Sequence, residues 1–294
     1  MSSQTGTYFR PTGTTRMGGL IGFPTTHSLS PMMHNDSFAL CGIDFVYLCF
    51  DVTEDALGGV VSAFRAVNTY GFNVTMPHKR AVIPYLDKLS PEADLCGAVN
   101  TVVNKDGSLI GHNTDGTGFI RGVRESGCDI TGKEITMIGA GGAGSAIASA
   151  AVLSDIGSLN IVCRRSRSWE NSERLVRKLQ EASGCKVTLI DLSQTDLVRT
   201  AVRNSCLLIN ATNVGMAPDI EKMPISDPEI FHPGLTAADV IYHPRKTAFL
   251  AEAEKHGCRT VSGLEMLLCQ GQEAFTLWTG KEMPADIIRE RYFS

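Results

Sequence analysis

A glycine-rich turn near the middle of the chain limits the possible folds more than any other segment. The run Gly139-Ala140-Gly141-Gly142-Ala143-Gly144 matches the spacing G-x-G-x-x-G. It follows an apolar stretch, residues 134–138, that is typical of a strand, and it precedes an alanine-rich stretch that is typical of a helix. In this context the glycines predict a dinucleotide-binding turn, where backbone N–H groups approach a pyrophosphate at a helix N-terminus. A purely structural glycine turn is the alternative interpretation.

The residues that follow the next strand indicate which dinucleotide is bound. Turns that bind NAD place an acidic residue about 20 positions onward, where it holds the ribose hydroxyls. This chain instead has Cys163-Arg164-Arg165-Ser166, and no carboxylate occurs before Glu170. Because arginine pairs well with phosphate, Arg164 and Arg165 favour NADP. A solvated basic turn is the alternative.

Short β-like runs alternate with helical stretches along nearly the whole chain. Strands are predicted at residues 18–23, 45–52, 71–76, 98–104, 108–112, 134–138, 159–163, 186–190, 207–210 and 237–241, and helices at 54–67, 77–88, 116–127, 168–183, 247–256 and 264–279. A further helix is predicted from Pro31, with Ser30 as its N-cap. Strands separated by helices imply parallel pairing. We therefore predict an α/β fold of two domains that are joined near residues 114–118, with a cleft between them.

Composition and charge narrow the possible partners. The 294 residues are 43% apolar and 20% charged, which is ordinary for a globular protein of about two domains. The formal net charge of −4 argues against a nucleic-acid partner and against an anionic membrane surface. A small-molecule partner is the remaining expectation.

The cysteines are numerous but scattered. Nine are present, an odd number, and none forms a C-x-x-C pair. This pattern argues against a disulfide framework and against a zinc site, and it favours a reducing, cytoplasmic compartment. His27 and His34 lie seven residues apart without a nearby pair of carboxylates, so we expect no metal there.

Two segments have some features of membrane or targeting signals. Residues 135–154 contain no charged side chain, but they are mostly Gly, Ala and Ser and open with the glycine cluster, so a membrane span is rejected. Residues 1–16 are polar and rich in Ser and Thr, without the apolar centre of a signal peptide. We expect them to form a flexible tail.

Candidate catalytic residues lie in the first half of the chain. Hydride transfer requires a positioned acid or base at the substrate oxygen. Lys79 follows the strand predicted at residues 71–76, and Asp115 follows the predicted hairpin. Each has an ordinary alternative, because a lone lysine is usually a solvated surface residue and Asp115 could cap the next helix. Ser28 and Ser30 could likewise be capping residues only.

Taken together, the motifs resemble those of the shikimate dehydrogenase family over nearly the whole chain after Met17. The matching segments are His27-Ser28-Leu29-Ser30-Pro31-Met32-Met33-His34-Asn35, Asn73-Val74-Thr75-Met76-Pro77-His78-Lys79, Gly97-Ala98-Val99-Asn100-Thr101, Asn113-Thr114-Asp115-Gly116, the glycine turn, Asn210-Ala211-Thr212-Asn213-Val214-Gly215-Met216, Tyr242-His243-Pro244 and Gln270-Gly271-Gln272-Glu273-Ala274-Phe275. Several ordered motifs at suitable spacing make the resemblance specific.

The resemblance implies a reversible, NADP- or NAD-dependent oxidation of a cyclic polyol carboxylate to its 3-keto form. It implies that Lys79 and Asp115 are the catalytic pair. The residues implied to hold the substrate are Ser28, Ser30, Thr75, Lys79, Asn100, Asp115, Tyr242 and Gln270. Those implied to hold the cofactor are Gly139, Ala140, Gly141, Gly142, Ala143, Arg164, Arg165, Ser166, Thr212, Asn213, Val240 and Gly263.

The resemblance also implies the domain organisation and the setting. Residues 1–115 together with 264–294 would form an α/β substrate domain, because the last helices of the family pack back on the first domain. Residues 116–263 would form a Rossmann-type, doubly wound NADP-binding domain. The expected setting is cytoplasmic biosynthesis of aromatic amino acids through chorismate, with a monomer or homodimer as the working unit.

Substrate and cofactor preference remain open within this resemblance. Many family members carry an Asn-Arg-Thr-like sequence where this chain has Cys163-Arg164-Arg165-Ser166, whereas residues 277–281 look closer to the quinate/shikimate branch, which tolerates NAD. The alternatives are therefore a quinate/shikimate dehydrogenase that uses NAD or NADP, and a catalytically idle NADP-sensing protein. Lys79 and Asp115 argue against the idle protein, because a sensor has no need of a proton-transfer pair.

Overall fold

The structure, a computed structural model, describes residues 10–293. Most of the tail predicted at residues 1–16 therefore lies outside the described residues. In the described part of that segment, the hydroxyls of Thr14 and Thr15 donate to the carboxylate of Asp44 at 2.7 and 2.6 Å. The first strand begins immediately afterwards, at Arg16.

Strands and helices alternate as the sequence predicts. In chain order the strands are β1 (Arg16–Gly22), β2 (Phe45–Asp51), β3 (Gly71–Val74), β4 (Lys88–Leu89), β5 (Thr101–Lys105), β6 (Ser108–His112), β7 (Glu134–Ile138), β8 (Ser158–Cys163), β9 (Lys186–Asp191), β10 (Leu207–Asn210), β11 (Thr236–Asp239) and β12 (Arg259–Val261). The helices are α1 (Ser30–Leu40), α2 (Leu57–Ala66), α3 (Pro91–Cys96), α4 (Thr114–Glu125), α5 (Gly142–Val152), α6 (Trp169–Ser183), α7 (Thr195–Asn204), α8 (Ala248–Lys255), α9 (Gly263–Thr279) and α10 (Ala285–Tyr292).

The chain divides into two compact units. The first contains Met1–Lys88, Val99–Gly111 and Ala274–Ser294, and the second contains Leu89–Ala98 and His112–Glu273. The first unit is built on a six-stranded sheet in the order β2-β1-β3-β5-β6-β4. In it β1 pairs in parallel with β2 and β3, whereas β3 pairs antiparallel with β5. The sheet is therefore mixed.

Aromatic side chains fill the core of the first unit. Phe38 of α1 lies against Phe45 and Phe275, with ring centroids 4.7 and 5.1 Å apart. Trp278 is buried near the end of α9 and donates its indole N–H to the carbonyl of Val102 at 3.0 Å. That hydrogen bond satisfies the polar atom of an otherwise apolar side chain, so the ring can be buried at little cost.

The second unit is a doubly wound parallel sheet. Its order is β12-β11-β10-β7-β8-β9, and every neighbouring pair of strands in it is parallel. Consecutive residues of β7 point to opposite faces, so Met137 joins one apolar cluster and Ile138 joins the other. Helices cover both faces of such a sheet. The order of the strands runs outwards in opposite directions from β7 and from its neighbour β10. An α/β sheet of this kind binds its ligand at the carboxyl ends of the strands at this point.

Two local predictions are wrong. The helix predicted at residues 77–88 is a series of turns with one short 3-10 helix, Ile83–Tyr85. Pro84 lies inside it, and a proline there has no N–H with which to continue an α-helix. Ser30 is the first residue of α1 and not its cap, because Leu29 occupies the N-cap position and contributes no side-chain hydrogen bond. Ser28 is the residue whose hydroxyl accepts from the Ser30 N–H, at 3.2 Å.

Candidate active site

Five of the predicted substrate residues lie at one end of the strands of the first sheet, which we call the sheet edge. Ser28 and Ser30 follow β1, and Thr75 and Lys79 follow β3. Because β1 and β3 are parallel neighbours with Ile21 opposite Val74, their carboxyl ends meet at the same edge. Asn100 reaches this edge from the other direction, since it immediately precedes β5, which runs antiparallel to β3.

Backbone hydrogen bonds tie the loops after β1 and β3 together. The N–H of Thr75 donates to the carbonyl of Ile21 at 2.9 Å, and the N–H of Phe23 donates to the carbonyl of Met76 at 3.0 Å. Gly22 lies beside Thr75 so closely that a Cβ at this position would come within 2.3 Å of the Thr75 methyl carbon. These contacts fix Thr75 at the sheet edge with its side chain half-buried.

The segment around Lys79 is held from both sides. The buried ring of His78 lies with Nε2 2.6 Å from the carbonyl of Val52. The carbonyl of Lys79 accepts from the N–H of Val99 at 2.8 Å. The backbone of Lys79 is therefore rigidly placed next to Asn100, while its flexible side chain is half-buried.

Asn100 is buried and strongly oriented. Its carbonyl accepts from the N–H of Val74 at 2.8 Å and from the amide of Asn73 at 3.0 Å. Its side-chain oxygen accepts from the hydroxyl of Thr101 at 3.1 Å. A side-chain amide whose oxygen is occupied in this way has its rotamer fixed. Asn73, the first residue of the motif that contains Thr75 and Lys79, is therefore a supporting residue of the site.

Asp115, Tyr242 and Gln270 belong to the second unit. Asp115 lies in the first turn of α4, whose N-cap is Asn113, which accepts from the Gly116 N–H at 3.3 Å. The capping role considered for Asp115 is thus filled by Asn113. Tyr242 is exposed beyond β11, whereas Gln270 is buried on α9.

The glycine turn has the geometry that a dinucleotide phosphate requires. Gly139 has φ of +98°, and a Cβ there would meet the methyl carbon of Thr212 at 2.7 Å. Gly141 and Gly142 are exposed, and nothing lies within 4 Å of where their Cβ atoms would be. The structure gives no side-chain cap to α5, so its first N–H groups face open space. These residues fit the pyrophosphate of a dinucleotide.

A cavity of about 450 Å³ lies at the carboxyl ends of β8 and β9. It is lined by Arg164, Arg165, Asp191, Leu192 and Ser193. The Ser193 N–H and the charge of Arg165 lower the pKa of Asp191, so the cavity carries two cationic side chains and one anionic one. The two guanidinium groups fit a ribose 2′-phosphate.

A buried carboxylate that no sequence motif marks organises the remaining cofactor segments. Asp239, at the end of β11, accepts from the N–H of Ile241 at 2.9 Å, from the hydroxyl of Thr247 at 2.7 Å and from the amide of Asn210 at 3.2 Å. Burial raises the pKa of Asp239. Asn210 in turn accepts from the N–H and the hydroxyl of Thr212, at 3.1 and 2.7 Å. Asp239 thereby links the segment of Thr212 to the segment that follows β11.

Gly263 allows two segments of the second unit to approach closely. A Cβ at this position would lie 2.5 Å from the carbonyl oxygen of Val240 and 2.6 Å from the carbonyl carbon of Ile241. Only a glycine permits α9 to begin so close to the end of β11. Val240 and Gly263 are therefore neighbours, as their joint assignment to the cofactor requires. Asn213 is exposed in the loop after β10.

Comparison with known proteins identifies the family. A family model described as the shikimate dehydrogenase substrate binding domain matches residues 20–102, and one described as the shikimate 5'-dehydrogenase C-terminal domain matches residues 263–291. A shikimate dehydrogenase (NADP(+)) of Listeria monocytogenes is 47% identical over 284 residues, which cover 97% of this chain and 98% of that relative. The chain belongs to the shikimate dehydrogenase family. The membership predicted from the motifs is therefore confirmed.

Solved structures of shikimate dehydrogenase family members have the same fold. The crystal structure of shikimate 5-dehydrogenase from Listeria monocytogenes in complex with shikimate and NAD matches with a TM-score of 0.93 and 47% identity, over 96% of this chain and 98% of that one. Quinate dehydrogenase from Corynebacterium glutamicum in complex with NAD matches with a TM-score of 0.83 and 31% identity, over 94% and 98%. The predicted two-domain α/β fold with a Rossmann-type domain is confirmed.

Three further findings bear on the chemistry open to this shikimate dehydrogenase family member. Within residues 10–293, no helix is long and apolar enough to cross a membrane. No group of three or more His, Cys, Asp or Glu side chains among the described residues is arranged to hold a metal ion. The nine cysteines are all free thiols.

Proposed function

We propose that this protein is an NADP-dependent oxidoreductase that interconverts shikimate and 3-dehydroshikimate. The observation that carries the proposal is the 47% identity to a shikimate dehydrogenase (NADP(+)) over 97% of the chain. Neutral donor and acceptor side chains at the sheet edge, Ser28, Ser30, Thr75 and Asn100, suit a substrate with several hydroxyls, because each hydroxyl both donates and accepts.

Lys79 and Asp115 are proposed as the acid–base pair. When the ketone is reduced, the ammonium of Lys79 donates a proton to the carbonyl oxygen and stabilises the negative charge that develops there. Asp115 orients the resulting hydroxyl and the ammonium group. The bound cofactor would supply the hydride as NADPH when the ketone is reduced and would accept it as NADP⁺ when the alcohol is oxidised. In the direction of oxidation the proton returns to the Nζ atom of Lys79. Tyr242 and Gln270 complete the proposed set of substrate contacts.

The cofactor is proposed to be NADP, with NAD as a weaker substitute. Arg164, Arg165 and Ser166 would hold the 2′-phosphate, and Gly139 to Ala143 would hold the pyrophosphate through backbone N–H groups. Thr212, Asn213, Val240 and Gly263 would adjoin the nicotinamide half. Residues 116–263 would accordingly be the NADP-binding domain, and residues 1–115 with 264–294 the substrate domain.

The proposed setting follows from charge and cysteine content. A net charge of −4 and nine scattered cysteines suit a cytoplasmic protein whose partner is a small polyol carboxylate rather than a nucleic acid or a membrane. We propose a monomer or a homodimer as the working unit, in the synthesis of aromatic amino acids through chorismate.

The test is the change in nicotinamide absorbance when the purified protein meets shikimate and NADP. Lys79→Ala is expected to lower kcat by about 10²–10⁴-fold, the usual contribution of a positioned acid or base. Lys88→Ala, which alters an exposed lysine of the same unit, is the control and should leave kcat unchanged. Normal turnover by a folded Lys79→Ala variant would contradict the assignment.

Quinate is the second candidate substrate. The run Leu277-Trp278-Thr279-Gly280-Lys281 favours it, because it looks closer to the quinate/shikimate branch of the family. Comparing kcat/KM for shikimate and quinate, each with NADP and NAD, decides between the two. Tight NADP binding without turnover of either polyol would instead indicate a catalytically idle, NADP-sensing protein.

A further inference from the structure

Tyr47 is a buried side chain of the first unit whose hydroxyl faces residues of the proposed substrate site. It lies in the middle of β2, the edge strand of the first sheet, and its side chain is buried. Its backbone N–H donates to the side-chain oxygen of Asn35 at 2.8 Å, and its carbonyl accepts from the Asn35 amide at 2.8 Å. Asn35 belongs to α1, so the helix that begins at Ser30 is fixed directly to Tyr47.

The ring of Tyr47 is held within the aromatic core. It stacks on the imidazole of His34, with centroids 4.7 Å apart and planes inclined by 22°, and it lies 6.1 Å from the ring of Trp278. A ring enclosed in this way cannot change rotamer without displacing its neighbours. The phenol oxygen therefore has a fixed position.

The hydroxyl of Tyr47 begins a chain of hydrogen bonds that ends at a residue of the proposed substrate site. It donates to the side-chain oxygen of Asn73 at 2.7 Å. Asn73 uses its amide to donate to the carbonyl of Asn100 and to the hydroxyl of Thr101, both at 3.0 Å. The hydroxyl of Thr101 in turn donates to the side-chain oxygen of Asn100 at 3.1 Å.

We infer that Tyr47 is a positioning residue for substrate recognition, whose hydroxyl fixes the orientation of Asn73 and, through it, that of Asn100. We call the chain of Tyr47, Asn73, Thr101 and Asn100 the Tyr47 network. The backbone of Tyr47 also holds α1, the helix that begins at Ser30, through the side chain of Asn35. The inference rests on the proposed function, because it assumes that Asn100 contacts the polyol carboxylate.

Tyr47→Phe removes the hydroxyl and keeps the stacked ring. The expected result is a rise of about tenfold in KM for shikimate, typical of a lost buried hydrogen bond, with KM for NADP unchanged. The thermal midpoint falls as well, because the side-chain oxygen of Asn73 is left buried without its donor. Tyr70→Phe is the matched control, because that ring packs on Phe45 in the same unit, and it should leave both KM values unchanged. An unchanged KM for shikimate in Tyr47→Phe would overturn the inference.

A double-variant cycle separates positioning from general stability. Since Tyr47 is inferred to act through Asn100, Tyr47→Phe combined with Asn100→Ala should lose less kcat/KM than the product of the two single losses. Losses that multiply fully would contradict the inference. Thr101→Val breaks the same network at a second point and should also raise KM for shikimate. It keeps the inference testable if Tyr47→Phe does not fold.

The same measurements distinguish failure of this inference from failure of the proposed function. The positioning role alone is refuted if the parent protein turns over shikimate and the Tyr47→Phe and Thr101→Val variants have the same KM for shikimate as the parent. Absence of turnover of shikimate and quinate by the parent protein refutes the proposed function, and the role of Tyr47 falls with it.

Discussion

Mild acid is expected to weaken the first unit through one buried histidine. His34 of α1 is fully buried, and neither of its ring nitrogens has a hydrogen-bond partner among the described residues. Its ring lies 4.7 Å from that of Tyr47 and 5.2 Å from that of Trp278. Burial lowers the pKa of His34 from 6.5 to about 3, because a charged imidazolium would lose its hydration in this apolar cluster.

The size and sign of the effect follow from linkage between protonation and folding. Below pH 6.5 the unfolded chain binds a proton at His34 that the folded chain does not, so stability falls as the pH decreases from about 6.5 towards about 3. A pH of about 5 lies about 1.5 units below the ordinary histidine pKa. At about 1.36 kcal/mol per unit, the free energy of unfolding is therefore lower by about 2 kcal/mol at this pH. Above about pH 7.5 the effect has disappeared.

The measurement exploits the two tryptophans of the chain. In a Trp169→Phe background, Trp278 is the remaining tryptophan, and it contacts His34 within the first unit. Urea unfolding followed by Trp278 fluorescence at about pH 7.5 and about pH 5 gives the loss of stability in this unit. His34→Phe, which cannot be protonated, should lose about 2 kcal/mol less than the parent between the two pH values.

A second histidine of the first unit provides the control. His27→Gln, which replaces an exposed histidine of the same unit, should retain the whole pH dependence of the parent. If His34→Phe and the parent lost the same stability on acidification, the argument from desolvation of His34 would be wrong.

Two further predictions concern the second unit. Replacing Arg164 and Arg165 together by alanine should raise KM for NADP at least about tenfold and leave KM for NAD within about twofold, measured by steady-state kinetics. Arg167→Ala, an exposed arginine of the same turn, is the control. Gly263→Ala should lower the free energy of unfolding by about 1–3 kcal/mol in urea denaturation, because its Cβ would lie 2.5 Å from the carbonyl oxygen of Val240. An unchanged midpoint would show that the two segments separate freely.

The alternation of strands and helices could be read from the sequence because it depends on local patterns. Apolar runs bounded by turn residues predicted β7 and β10 with their observed ends. The helix predicted at residues 77–88 is absent because Pro84 has no N–H with which to continue an α-helix. The short helix α3 was missed although its signals were present, with Ser90 as N-cap, Pro91 in the first turn and Gly97 in the left-handed conformation.

The candidate site was less accessible to sequence reasoning, since its supporting contacts join distant parts of the chain. No local pattern reveals that Asn73 is placed opposite Thr101, because the antiparallel register of β3 and β5 decides it. Likewise Asp239 looks like an ordinary strand-end aspartate until Thr247 and Asn210 are seen to donate to it. The motifs named residues that contact ligands, whereas the fold is needed to find those that hold them in place.

The two units hold their site residues by different physical means. The Tyr47 network consists of neutral groups, so its geometry depends on every hydrogen bond being satisfied, and loss of one hydroxyl leaves a buried partner unsatisfied. In the second unit a single buried carboxylate, Asp239, collects donors from two segments, and its charge strengthens each bond against the cost of burial. Because the two arrangements share no residue, substitutions in the Tyr47 network should alter KM for the polyol, and Asp239→Asn should alter KM for the cofactor.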